Sequence, residues 1–143
     1  MSTDKRHAEF DISYIENDQI NIEMDGCSIV TEYLEDKDAR RTTMGPANIF
    51  FAAFALWACT DILAFCRKRN ISSEGFKIRQ IVDWNRQHTD NSRVLLRIEL
   101  PDHFPRKYDN AIGKAVDSCL VVKLGKDIHP DSFTRDITRS RKQ

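Results

Sequence analysis

The sharpest chemistry in this 143-residue sequence belongs to four cysteines, Cys27, Cys59, Cys66 and Cys119. A thiolate is a nucleophile and a metal ligand, whereas a protonated, buried thiol is only a small hydrophobe. Spacing disfavours a metal: no CxxC or HxxxH pattern occurs, and His7, His88, His103 and His129 are scattered. Cys66 follows Cys59 by seven residues. On a helix that separation is about 10.5 Å of axial rise, and a disulfide holds its Cα atoms within about 7 Å, so those two cannot bridge. Cys27 sits beside Asp25-Gly26 and reads as incidental. On spacing alone, Cys59 and Cys119 read first as core side chains. Asp61 lies two residues past Cys59, on another side of the helix, and needs a polar partner of its own rather than serving as a catalytic base.

The elements that must position these thiols follow from periodicity. Phe10, Ile12 and Tyr14 alternate with polar residues, as do Ile20, Ile22 and Met24. Asp25-Gly26 predicts a tight hairpin turn, because glycine takes positive φ at no steric cost. A third strand is predicted around Ser28 to Leu34, and a charged, exposed loop from Glu35 to Gly45. Pro46 suits a first helical turn, where its missing N–H has no partner anyway. The helix it opens runs to about Arg69, with Arg67, Lys68 and Arg69 at the negative end of its dipole and Asn70 as the stop. From Ile49 to Ala58 it is apolar on every face, so it must be covered on all sides. One sheet covers one side; a second subunit is expected to supply the rest.

Two more strands follow, one carrying Phe76, Ile78, Val82 and Trp84 on one parity, the other Val94, Leu96, Ile98 and Leu100. Pro101 to Pro105 reads as a turn. Tyr108, Ala111, Ile112, Ala115, Val116, Cys119 and Leu120 recur at helical spacing, ended by Gly125, and a last strand is predicted over Phe133 to Thr138. The order βββ-α-ββ-α-β is that of an α+β fold. No repeat or long linker divides it, so residues 1–143 are expected to form a single domain.

Composition narrows the partners. Lysine and arginine total 22 and so do aspartate and glutamate, so no net charge draws nucleic acid or an anionic membrane. The basic run Arg135, Arg139, Arg141, Lys142 reads as a solvated terminus. Met1 to Glu9 lacks an apolar run and does not read as a signal peptide. The apolar stretch Ile49 to Cys59 is 11 residues long, against the roughly 20 that span a bilayer, and reads as a buried core helix. Reduced thiols and a cytoplasmic location are the expectation.

The segment Pro46 to Phe65, together with the later Cys119-Leu120-Val121-Val122-Lys123-Leu124, resembles the OsmC/Ohr family of thiol-dependent peroxidases. In that family a proline-led, alanine-rich central helix presents one cysteine, and a second opens a C-x-V-x-K-x-L-like segment. The strand order also matches, so the resemblance covers nearly the whole chain. It implies an OsmC-like single domain in an intertwined homodimer, with Cys59 as the peroxidatic and Cys119 as the resolving cysteine. It further implies no metal or organic cofactor, an organic hydroperoxide as substrate and an external dithiol as reductant. The aromatic side chains Phe50, Phe54 and Trp57 are the expected pocket for the alkyl part.

A thiol in an apolar setting ionises reluctantly, so a reactive one needs a cation within about 4–6 Å. The family supplies an arginine held by an acidic residue. Here the hairpin Glu16-Asn17-Asp18-Gln19 has no arginine, Ile49 stands where the acidic residue is often found, and Pro46 lies further ahead of Cys59 than usual. Arg41, with Arg40 behind it, is the candidate cation; otherwise the pair is a solvated part of the loop. Three functions stay open: a peroxidase; a non-peroxidatic module binding a thiol-containing or acyl ligand at the dimer interface; and a purely structural dimer.

Overall fold

The computed structural model describes residues 7–36, 38–84, 87, 92–119, 123 and 133–139. Lys5, Arg6, His88, Leu120, Val121, Val122, Leu124, Gly125, His129, Arg141 and Lys142 lie outside the described residues. The chain forms two compact units, Met1–Ile49 and Phe50–Gln143.

The first unit is an antiparallel meander of β1 (Asp11–Tyr14), β2 (Gln19–Met24) and β3 (Cys27–Glu32). Asp25 and Gly26 both take positive φ, 48° and 80°, and close the Met24–Cys27 pair as the predicted two-residue turn. The pairing register aligns Ile12, Ile22 and Ile29 across the three strands, with Tyr14, Ile20 and Thr31 beside them. Opposed residues share a face, so the alternation in sequence becomes one apolar face and one polar face carrying Asp11, Ser13, Gln19, Asn21, Glu23 and Glu32. Among the described residues no element of its own unit packs on the apolar face, where Ile12 is 69% and Tyr14 66% exposed. Thr31 is the buried member, its hydroxyl donating to the Met44 carbonyl at 2.8 Å.

The helix α1 (Pro46–Lys68) begins and ends where the sequence placed it, within a residue. Its C-terminus closes with two hydrogen bonds: Ile71 N–H donates to the Cys66 carbonyl at 3.0 Å and Asn70 N–H to the Arg67 carbonyl at 3.3 Å. Asn70 takes φ 54° to allow this, and Ile71 packs against the core. The second unit's sheet has the order β4-β5-β6, from Lys77–Asp83, Arg93–Leu100 and Phe133–Arg139. The outer strand β4 pairs antiparallel with β5, and β6 pairs parallel with it. A parallel pair needs a crossover, and α2 (Asp109–Asp117), preceded by a single 3-10 turn over Arg106–Tyr108, lies within it.

Central strand β5 buries Val94, Leu96, Ile98 and Leu100 against Ala58, Ile62, Phe65 and Cys66 of α1 and Ile112 and Val116 of α2, in one core cluster. Two corrections to the sequence reading emerge here. The apolar stretch, read as 11 residues and too short for a bilayer, belongs to a helix that over its 23 residues is long and apolar enough to cross a membrane by length and composition. One stripe of it is covered by the core of its own unit. The second helix is also shorter than its periodicity suggested. Ser118 turns its hydroxyl back onto the Lys114 and Ala115 carbonyls, at 2.8 and 3.2 Å, and so ends α2 before Cys119.

Three arginine–aspartate pairs tie β6 in place: Arg97–Asp136 with β5, and Arg135–Asp117 and Arg139–Asp109 with α2. These put Arg135 and Arg139 to structural use rather than in a solvated tail. Gly113 makes room for one of them, since a Cβ there would lie 2.5 Å from the Arg135 guanidinium carbon. The Arg139 side chain, 17% exposed, also donates to the Phe104 carbonyl at 2.7 Å and the Pro101 carbonyl at 3.4 Å. Replacing it by alanine (Arg139→Ala) strands those acceptors and is expected to lower stability by about 2–3 kcal/mol, measured by urea unfolding.

Candidate functional site

The stripe of α1 that enters the core is Phe54, Ala58, Ile62, Phe65 and Cys66, at helical spacing. Ala58 is 0% exposed, and Cys59, a 100° step further round, is half-buried. The opposite stripe, Ala53, Leu56, Trp57, Thr60 and Ala64, is exposed although mostly apolar. Ala53, Leu56, Trp57 and Thr60 line a shallow cavity of about 340 Å³. Of the aromatic residues read as a pocket, Phe54 is buried, while Phe50 and Trp57 are 61% and 40% exposed. Phe50 and Phe54 meet edge to face with centroids 5.4 Å apart, an i,i+4 pair.

A polar residue outside the cysteines reaches into this helix. Gln80, on the core-facing parity of β4, donates from Nε2 to the Phe51 carbonyl at 2.8 Å and accepts the Ala55 N–H on Oε1 at 3.1 Å. Phe51 and Ala55 are the carbonyl and amide that an α-helix joins to each other. Sequence reasoning passed over Gln80, yet it left a signal: the parity Phe76, Ile78, Val82, Trp84 has one polar gap, at residue 80.

Cys119 is buried just beyond α2 and belongs to the same core cluster as Ala58 and Ile62. Its carbonyl accepts the Lys123 N–H at 2.8 Å. Cys66 is buried in that cluster too. Burial pushes its thiol above the usual range, against a smaller opposing pull from Arg69. Cys27 is exposed at the hairpin. A second cavity, of about 400 Å³, is lined by Asp61, Phe65, Lys68, Arg69, Ala115 and Ser118. The Arg69 guanidinium stacks 3.6 Å from the Phe65 ring centre at its rim. Among the described residues, no three His, Cys, Asp or Glu side chains cluster as a metal site would need.

In the first unit, Arg41 donates to the Glu32 carbonyl at 2.7 Å and to the Thr43 carbonyl at 3.3 Å, using two of its five N–H donors. Its guanidinium packs over Gly45, where a Cβ would come within 3.0 Å. The Glu32 carboxylate secures the same loop, accepting Thr42 N–H at 2.7 Å, Thr43 N–H at 3.3 Å and the Thr42 hydroxyl at 3.1 Å. Arg40 is exposed. The loop read as charged and exposed is tied to the end of β3 by these bonds.

By sequence, the chain matches no family model and no curated protein. By fold it is similar to several solved structures. The OsmC-like protein from Mycoplasma pneumoniae superposes with TM-score 0.76 at 12% identity, over 97% of this chain and 100% of that one. The OsmC-like protein from Vibrio cholerae gives 0.69 at 11%, over 93% and 99%. An organic hydroperoxide resistance protein from Elizabethkingia anophelis gives 0.65 at 13%, over 99% and 100%. The fold is thus that of the OsmC/Ohr proteins, as the βββ-α-ββ-α-β pattern and its two cysteine segments implied.

The backbone bond from Thr42 is the main cause that holds the Glu32 carboxyl below the usual carboxylate range. A lowered folded-state value means the loop's anchoring is present above the unfolded value and lost as pH falls through the folded one. The Thr42 and Thr43 amide resonances are expected to titrate together at a pH below that of a glutamate in a peptide, and Glu32→Gln should remove that titration.

Proposed function

We propose that this protein is a thiol-dependent peroxidase that reduces organic hydroperoxides through Cys59 and Cys119. The observation that supports it best is the presentation of Cys59: a half-buried thiol beside a mostly apolar surface stripe, on the central helix of an OsmC/Ohr fold. The Cys59 thiolate attacks the outer oxygen of the hydroperoxide. An S–O bond forms as the O–O bond breaks, and the alkoxide leaves and takes up a proton as the alcohol. The Cys119 sulfur then attacks the sulfenic acid sulfur, forming the disulfide and releasing water. An external dithiol returns both thiols by exchange.

Arg41 is the proposed cation for the thiolate. A free cysteine with a pKa of about 8.5 is mostly protonated at neutral pH, and a guanidinium stays charged throughout. Cys59→Ser is expected to abolish peroxide consumption. Cys119→Ser should retain the first oxidation and lose the disulfide that mass spectrometry finds between the two residues in the treated protein. Arg41→Ala should slow Cys59 alkylation in mildly acid buffer without unfolding the chain. Both thiols free after peroxide treatment, with no peroxide consumed, would refute the redox pair.

A second reading, a binding protein for a thiol-containing or acyl ligand, is favoured by the shallow cavity of Ala53, Leu56, Trp57 and Thr60. Ligand uptake without peroxide loss would select it. Under either reading we take the working unit to be a homodimer. Leu56, 68% exposed, heads an apolar stripe that a soluble monomer rarely leaves bare. Light scattering is expected to give twice the chain mass of 16.6 kDa at micromolar concentration; a stable monomer would refute the dimer.

A further inference from the structure

We propose that Gln80 is a positioning residue that fixes the rotation of α1 on its sheet, and so decides that Cys59 rather than the neighbouring position is presented as the accessible thiol. The problem it solves comes from the helix itself. An amphipathic helix finds its buried face by hydrophobicity, but α1 carries Phe50, Phe51, Phe54, Leu56 and Trp57 around its circumference. Turning it by one residue exchanges Ala58 and Cys59, two side chains of similar size, while Ala55 and Leu63 take the places of Phe54 and Ile62. At the thiol itself, burial therefore separates the two rotations weakly.

Gln80 supplies the missing direction. Its primary amide is the one side-chain group that can donate to a carbonyl and accept from an N–H in the same plane. It does both, at 2.8 Å from the Phe51 carbonyl and 3.1 Å from the Ala55 amide. A turned helix offers Gln80 a different carbonyl and amide at a different height, and leaves a polar amide among apolar neighbours without its partners. That penalty gives the packing of this segment a direction. Its neighbours on the same face of β4, Ile78 and Val82, pack against the core and make no such bond. Ala55 lies one turn ahead of Cys59, so the fixed point is adjacent to the thiol whose exposure it controls.

This inference rests on the reading of Cys59 as the reactive thiol for its consequence, but its test needs no turnover. Alkylation with iodoacetamide in alkaline buffer, where thiols ionise without special activation, is followed by mass spectrometry at each cysteine. Cys27, exposed in the other unit, serves as the internal reference. Gln80→Leu removes both bonds at nearly constant size, and Gln80→Glu keeps the acceptor and loses the donor. Val82→Ala, on the same strand face, controls for lost packing. In both Gln80 variants the Cys59-to-Cys27 labelling ratio is expected to fall, by up to roughly tenfold in Gln80→Leu, the weight of two modest hydrogen bonds, and by less in Gln80→Glu, which loses one. In Val82→Ala it should stay near wild type even where urea unfolding shows an equal loss of stability. Unchanged ratios in folded Gln80 variants, or an equal fall in Val82→Ala, would overturn the proposal. Should a Gln80 variant fail to fold, Gln80→Asn, too short to span both partners, carries the same expectation. An inert Cys59 in wild-type peroxide assays would defeat the peroxidase reading and leave this measurement standing.

Discussion

The packing of α1 against β5 is the constraint on which the second unit depends. The helix supplies five buried side chains to the core, and β5 meets them with four of its own on alternating positions. Hydrophobic attraction of this kind is strong and has no direction. The sizes of the buried side chains orient the helix in part, and a few polar contacts add direction. Here the Gln80 amide, set into the backbone of the helix, and the paired bonds at Asn70 and Ile71 fix its middle and its end.

The elements in which propensity and pattern agree were legible from residue types alone. Asp25-Gly26 requires positive φ at both positions and has it, and the strict alternation of Val94, Leu96, Ile98 and Leu100 marks the most buried strand. Pro46 and Asn70 mark the helix ends because each is suited to a conformation the helix interior excludes. What sequence could not show were choices made by single polar side chains. The Ser118 hydroxyl ends α2 ahead of Cys119, although the apolar period continues through that cysteine. Gln80 read as a defect in a strand pattern because its partners are backbone groups, which leave no trace in a string of side chains. Glu32 likewise anchors the exposed loop through its carboxylate, a role its charge alone does not announce. For the candidate site, the two cysteine segments came from family resemblance, while the half-exposure of Cys59 and the burial of Cys119 came from the fold.

The uncovered surfaces share one character. The apolar face of the first sheet and the Leu56–Trp57 stripe of α1 are built from large side chains of the kind that dominate association energetics. Charge is sparse on both, so a partner for either must be selected by shape and burial.

The pairing of β6 with β5 sets an order in time. Arg97 and Asp136 face each other across that pair from positions 39 residues apart, whereas β1, β2 and β3 are joined by short turns. During synthesis the N-terminal meander has every hydrogen-bonding partner within reach as soon as it emerges, and local contacts of this type form fast. β5 must wait with one edge unpaired until β6 is made. Through that interval the strand that will be most deeply buried presents open backbone groups beside four aliphatic side chains, the condition under which unfinished chains associate wrongly. The arginine–aspartate clamps on β6 end that interval, so the last strand acts as the latch of a nascent domain as well as a member of the finished sheet.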